Sequence, residues 1–212
     1  MKTRLFAALL AAFALTAIAQ QPTQFQDTSM LKPPAGAKVA VVEFEDLECP
    51  ACANAAPIVH RAVEQYHIPL VRYDFPLKAH VWSFDAAVYA RWMQEKVNPS
   101  VADQYRAAVF ANQMSIASKD DLAHATRKFL ADRKIQMPFQ VDPTGALANK
   151  VRADYALGEK LGIQHTPTIV VVTQNHYDEL TGDPNQIYGK IEAALAATRS
   201  STSPVKKSAT KK

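Results

Sequence analysis

An α/β fold interrupted by a block of helices is predicted by three features of the chain. Apolar runs rich in β-branched residues at 38–45, 68–75 and 168–173 read as buried strands, and a shorter run at 177–180 reads as a fourth. The first strand leads directly into a helical pattern at 49–67, the alternation expected of α/β chains. Residues 76–165 then separate the second strand from the third, far more chain than a crossover requires, so the interval must hold a helical insertion. Only 6 glycines in 212 residues argue against a strand-and-turn architecture.

At the N-terminus, Lys2 and Arg4 precede an apolar run at 5–18 that ends in Ala17-Ile18-Ala19, the small-x-small form of a secretory cleavage site. The run is too short to span a bilayer comfortably, so residues 1–19 are expected to be a removed signal peptide. No cysteine follows it, which excludes lipoprotein attachment. Export would place the protein in the periplasm or outside the cell, where disulfides persist. Residues 20–37, polar and carrying Pro22, Pro33 and Pro34, read as an extended lead-in.

In the helix at 49–67, Ile58, Val59, Ala62, Val63 and Tyr66 share one face, and Pro57 removes a hydrogen bond from its interior. The insertion divides into helical segments at 82–96, 99–112, 119–133 and 143–161. Ser118 with Asp121 forms a capping box, Asp142-Pro143 reads as an N-cap followed by proline at the first helical position, and Gly162 is a C-terminal stop. Trp82, Phe84, Val88 and Trp92 form an aromatic stripe of the kind that packs into a core. After the strand at 168–173 come a turn at Gln174-Asn175-His176, the strand at 177–180 and a final helix at 184–198. The remainder, 199–212, is Ser/Thr/Lys-rich and reads as a disordered basic tail.

The formal charge of +4 comes from the ends of the chain. Of 24 Lys and Arg, seven lie in 1–19 and 199–212, leaving 17 against all 20 acids, a net −3 for residues 20–198. The folded part is mildly acidic, so the high isoelectric point is no argument for nucleic acid, and none is expected as a partner.

Both cysteines of the chain, Cys49 and Cys52, fall at the junction of the first strand and the first helix. The first sulfur would lie at a helix N-terminus, where unpaired backbone N–H groups and the helix dipole favour a thiolate. The second, three residues on, lies on the same face and can close a small disulfide ring. Cys49 is therefore the attacking sulfur and Cys52 the resolving one. A structural zinc site would need two further ligands from His60, His67, His80, His124, His165 or His176, none at a paired spacing. Haem attachment requires histidine at 53, which is Ala53. A purely structural disulfide stays open as an alternative, although so small a ring restrains the unfolded chain little.

Cys49-Pro50-Ala51-Cys52 with Pro57, and Thr166-Pro167-Thr168 leading into Ile169 to Val172, resemble the thioredoxin superfamily, and within it the DsbA-like thiol:disulfide oxidoreductases. The resemblance extends over residues 39–197 by order of elements. It implies a thioredoxin-like α/β fold with an inserted helical domain, the former made of 38–78 and 163–198 and the latter of 79–162. It further implies a cis Pro167 facing the cysteines, and a loop at Thr166 that binds substrate peptide. Glu43, six residues before Cys49, corresponds to a buried acid that can accept a proton from the resolving sulfur. Arg72 and Lys78 are candidates for its basic partner. Ala51 departs from the family, many of whose members have histidine there to stabilise the thiolate. His165, two residues before Pro167, should lie near the cysteines, whereas His60 and His80 are given no role.

The expected activity is exchange of a Cys49–Cys52 disulfide with thiols of unfolded or reduced exported proteins, acting as an oxidase. The alternatives are a reductase or isomerase, or a non-catalytic peptide-binding protein. Isomerases of the superfamily dimerise through a separate N-terminal domain, for which the residues before 38 are too few. The resemblance implies no cofactor and no metal, a monomer, and a quinone-linked membrane protein as reoxidant. Glu45, Asp46 and Glu48 place negative charge before Cys49 and are expected to make the pair less oxidising.

Overall fold

The structure is a computed structural model, and it describes residues 29–200 together with Phe25. The expected signal peptide, residues 20–24 and 26–28 of the lead-in, and the tail from 201 lie outside the described residues. Strands β1 (Val39–Glu45), β2 (Leu70–Asp74), β3 (Thr168–Thr173) and β4 (Tyr177–Glu179) form one sheet in the order β2-β1-β3-β4. β1 and β2 are parallel, while the β1–β3 and β3–β4 pairs are antiparallel.

Side-chain alternation along β1 and β3 supplies both faces of this sheet. Val39, Val41, Ile169 and Val171 pack against helix α1 (Pro50–Tyr66) and helix α6 (Ile187–Ser200) through Ala55, Val59, Ala62, Ile187 and Ile191. Ala40, Val42, Phe44, Val170 and Val172 pack on the other face with Phe75, Leu161 and Ile163. The same alternation puts Glu43 and Glu45 on the α1 face, which the local pattern Val42, Phe44 leaves undecided in the sequence.

Between β2 and β3 the chain forms α2 (Ser83–Lys96), α3 (Pro99–Asn112), a 3₁₀ turn (Gln113–Ser115), α4 (Lys119–Ala131) and α5 (Ala146–Leu161). These helices have a core of their own, including Trp82, Met93, Tyr105, Leu122 and Leu130, and Leu47 enters it from the end of β1. Trp82 and Trp92 of the aromatic stripe are in that core and Val88 packs on it. Phe84 sits half-buried under the Arg152 guanidinium, 5.3 Å from the ring centre.

Ser118 Oγ accepts the Asp121 N–H at 3.1 Å, and the Asp121 carboxylate accepts the Ala117 N–H at 3.1 Å, a reciprocal cap for α4. Several boundaries differ from expectation, β2 and α4 being shorter by up to two residues at an end. The first turn of α5 starts at Ala146 rather than 143, because Gly145 adopts a left-handed φ of +73°. Asp142 still caps it, from outside, by accepting the N–H groups of Leu147 and Ala148 at 3.2 and 2.8 Å. At the other end, Pro184–Gln186 form a 3₁₀ turn capped by Asp183, and α6 runs on to Ser200, two residues into the expected tail. Among the described residues, no helix is long and apolar enough to cross a membrane.

Candidate active site

The pair Cys49 and Cys52 occupies the start of α1. Cys49 is the N-cap, with extended φ −83° and ψ 119°, and Pro50 follows at the first helical position, where its missing N–H leaves no helical bond unmade. Cys49 is 7% exposed and Cys52 is fully buried, and both are free thiols. A reagent in solution can therefore reach only the first sulfur.

Electrostatics separate the two sulfurs further. Cys49 is pulled down from 9.0 to about 5 by the hydrogen bond from the Cys52 side chain, with help from Thr166 and the backbone N–H groups of Cys52 and Ala51, against the opposing effect of burial. Cys52 is pushed well above its ordinary value by burial first, then by its interaction with Cys49. The Asp46 N–H donates to Cys52 Sγ at 3.4 Å.

The Thr166-Pro167 peptide is cis, and its loop lies against the cysteines, with Cys49 Sγ donating to the Thr166 carbonyl at 3.3 Å. The Thr166 hydroxyl is buried without a hydrogen-bond partner, a donor left over for a thiolate at Cys49. Beside this loop lies a cavity of about 230 Å³ lined by Ala51, Asn54, His165, Pro167, Leu180 and Pro184. Ala51 and His165 are thus brought to one groove, with Ala51 exposed and His165 half-buried. His165 is tied to the first residue of β3, whose Thr168 hydroxyl donates to its carbonyl at 2.8 Å.

Glu43 is fully buried, with neither carboxylate oxygen hydrogen-bonded. Its carboxyl is raised to about 8 by burial and then by Glu45, with Arg72 and Arg106 opposing, and its charge acts on Cys52. Of the two candidate bases, Arg72 lies opposite Glu43 in the β1–β2 register, donating to Asp103 at 2.6 Å with a second nitrogen 2.8 Å from His60 Nε2. Because a guanidinium can only donate, that His60 nitrogen is the acceptor. Lys78 is exposed and pairs with Glu159 instead, so it does not serve Glu43.

The acids before Cys49 do not stand as free charges beside the sulfur. Glu45 and Asp74 both bind the buried Arg106 guanidinium of α3. Asp46 accepts from Leu77 N–H and from His80 Nδ1, at 2.6 and 2.7 Å, which gives His80 a part in supporting the site. Glu48 accepts the N–H groups of Val81, Trp82 and Ser83 at 3.1, 2.6 and 2.9 Å and so caps α2 from another part of the chain. Arg106 was open to detection in the sequence, since with Ala102, Tyr105 and Val109 it falls on the one apolar face of α3.

A sequence profile of thioredoxin matches residues 27–187. The chain belongs to the thioredoxin family. Within that family its fold has the helical insertion of the DsbA-like branch. Wolbachia pipientis alpha-DsbA1 superposes with a TM-score of 0.66 at 15% identity, over 81% of this chain and 93% of that one. The thiol-disulfide exchange protein alpha-DsbA2 of the same organism gives 0.61 at 15% identity, over 76% and 84%. The catalytic domain of Proteus mirabilis ScsC gives 0.60 at 20% identity, over 78% and 88%. At these identities the likeness is one of fold. Among curated proteins no sequence match is found.

Proposed function

We propose that this thioredoxin-family protein is an exported thiol:disulfide oxidoreductase of DsbA type that works as an oxidase. The observation that carries the reading is the asymmetry of the pair, a slightly exposed sulfur with a depressed pKa beside a fully buried one with a raised pKa. In the forward reaction a substrate thiolate attacks Cys49 Sγ of the Cys49–Cys52 disulfide. The S–S bond breaks, a mixed disulfide forms at Cys49, and Cys52 leaves as a thiolate. Glu43, protonated at neutral pH and electrostatically coupled to Cys52, can supply the proton that neutralises it. A second substrate thiolate then attacks the substrate sulfur of the mixed disulfide. Cys49 is expelled as a stabilised thiolate, the substrate keeps the disulfide, and the enzyme is left reduced.

Thr166, Pro167, Ala51 and His165 form the substrate groove in this reading, with the Thr166 backbone beside the reacting sulfur. Reduced exported proteins are the substrates, and a quinone-linked membrane protein, as the family implies, takes the electrons from the reduced enzyme. No cofactor takes part in either exchange step. The test is trapping in a periplasmic extract. Cys52→Ser keeps the attacking thiol but removes the resolving one, so it accumulates mixed disulfides, whereas Cys49→Ser does not. Equal trapping by both variants, or by neither, overturns the assignment.

A further inference from the structure

The loop that presents Cys49 is held at each of its three residues by the helical insertion. Leu47 places its side chain in the helical core. Glu48 accepts the N–H groups at the start of α2. The third hold is Gln113, the residue directly after α3, whose Nε2 donates to the Leu47 carbonyl at 2.7 Å and to the Cys49 carbonyl at 3.1 Å. Two backbone carbonyls on either side of Glu48 thus converge on one amide from the inserted domain.

Cys49 must keep its extended N-cap conformation for its sulfur to stay at the first turn of α1, where the N–H groups of Ala51 and Cys52 favour its thiolate. Its carbonyl already accepts the first helical bond, from the Ala53 N–H at 3.1 Å. The Gln113 amide adds a second donor, which fixes the orientation of that peptide and draws negative charge from the carbonyl oxygen of the same residue as the sulfur. Resting on the oxidoreductase reading, we propose that Gln113 is a positioning residue for Cys49, the contact through which the helical insertion sets the reactivity of the attacking thiol.

The experiment is the pH dependence of Cys49 alkylation by iodoacetamide in full-length protein carrying Cys52→Ser, which leaves one thiol to titrate. Adding Gln113→Ala should move the midpoint up by about one pH unit, so that alkylation at pH 5.5 falls about threefold while the rate at pH 9 is unchanged. Gln113→Glu, of the same shape but with acceptors facing two carbonyls, should move it at least as far. Gln104→Ala, on α3 but bonded to Ser100 and Arg133, should leave the midpoint where it is. A Gln113→Ala protein that melts lower yet titrates as the parent assigns Gln113 a merely structural role and overturns the proposal. If Gln113→Ala does not fold, Gln113→Glu decides the matter by the same midpoint. A parent with no thiol reactive below pH 7 instead overturns the oxidoreductase reading, and this inference falls with it.

Discussion

Glu43 is the side chain whose state depends most on the fold around it. Isolated it would titrate at 4.5, but burial beside Glu45 raises it to about 8, so the folded protein holds a proton that the unfolded chain releases. The sign follows from linkage. Between these two values the native state binds more protons than the unfolded state, so stability falls as pH rises from 4.5 and levels off above 8. The difference across that window is on the order of 5 kcal/mol. Glu43→Gln, which cannot ionise, should flatten the dependence of the melting temperature on pH across the window, with the variant gaining most over the parent at pH 8. A parallel slope in both proteins would mean that Glu43 does not carry this proton. Neither the burial nor its consequence is visible in the local sequence. Alternating Val42, Glu43 and Phe44 state that one face is charged, but only the packing of Val41 on α1 and Phe44 on α5 states which.

At the level of elements, the strands and helices were legible because their ends carry local chemistry. Ser118 and Asp121, Gly162, and Pro50 after the N-cap act within a few residues of themselves, and the boundaries they imply hold. What the sequence did not disclose are bonds between distant elements. Gln113 meets Cys49 across 64 residues, and Glu48 meets Trp82 across 34, with no pattern in either segment to mark the pairing. Gly158 is another such case. It sits in the last turn of α5, where glycine costs up to about 1 kcal/mol relative to alanine, and the reason is the aromatic ring packed beneath it. A Cβ there would fall 2.5 Å from two ring carbons of Phe75. That ring cannot easily move, being stacked on Tyr155 at 4.6 Å and edge-on to Phe44 at 6.3 Å. Gly158→Ala should therefore destabilise the protein by about 1–3 kcal/mol despite its better helix propensity, measured as a lower denaturant midpoint. A neutral or stabilising effect would show that α5 can lift from β2.

For the whole molecule, the two halves of the chain meet at one sulfur, and the result should appear in the potential of the pair. The thioredoxin-like half brings the α1 terminus, and Thr166 from the loop before β3. The insertion contributes Arg106, which takes up Glu45, and the N–H groups that take up Glu48. Negative charge expected to weaken the oxidant is thereby tied into ion pairs and caps. A stabilised Cys49 thiolate stabilises the reduced protein, so it raises the potential. With Cys49 titrating at about 5 rather than 9.0, the reduced form at pH 7 gains about two decades over a pair of ordinary thiols, or about 60 mV for a two-electron couple. The value should lie above the about −270 mV of thioredoxin and below the about −120 mV of DsbA, since Ala51 adds no charge of its own. The pH dependence is the sharper test. Below the Cys49 value, reduction takes up two protons and the potential falls by about 59 mV per pH unit. Above it, Cys49 stays ionised while Cys52, held as a thiol by burial, takes up one, and the slope halves to about 30 mV. Equilibration against glutathione from pH 4 to pH 8 should show that break near pH 5. A single slope of about 59 mV throughout would mean that neither sulfur is ionised in the reduced protein, and the charge arrangement derived for the site would be wrong.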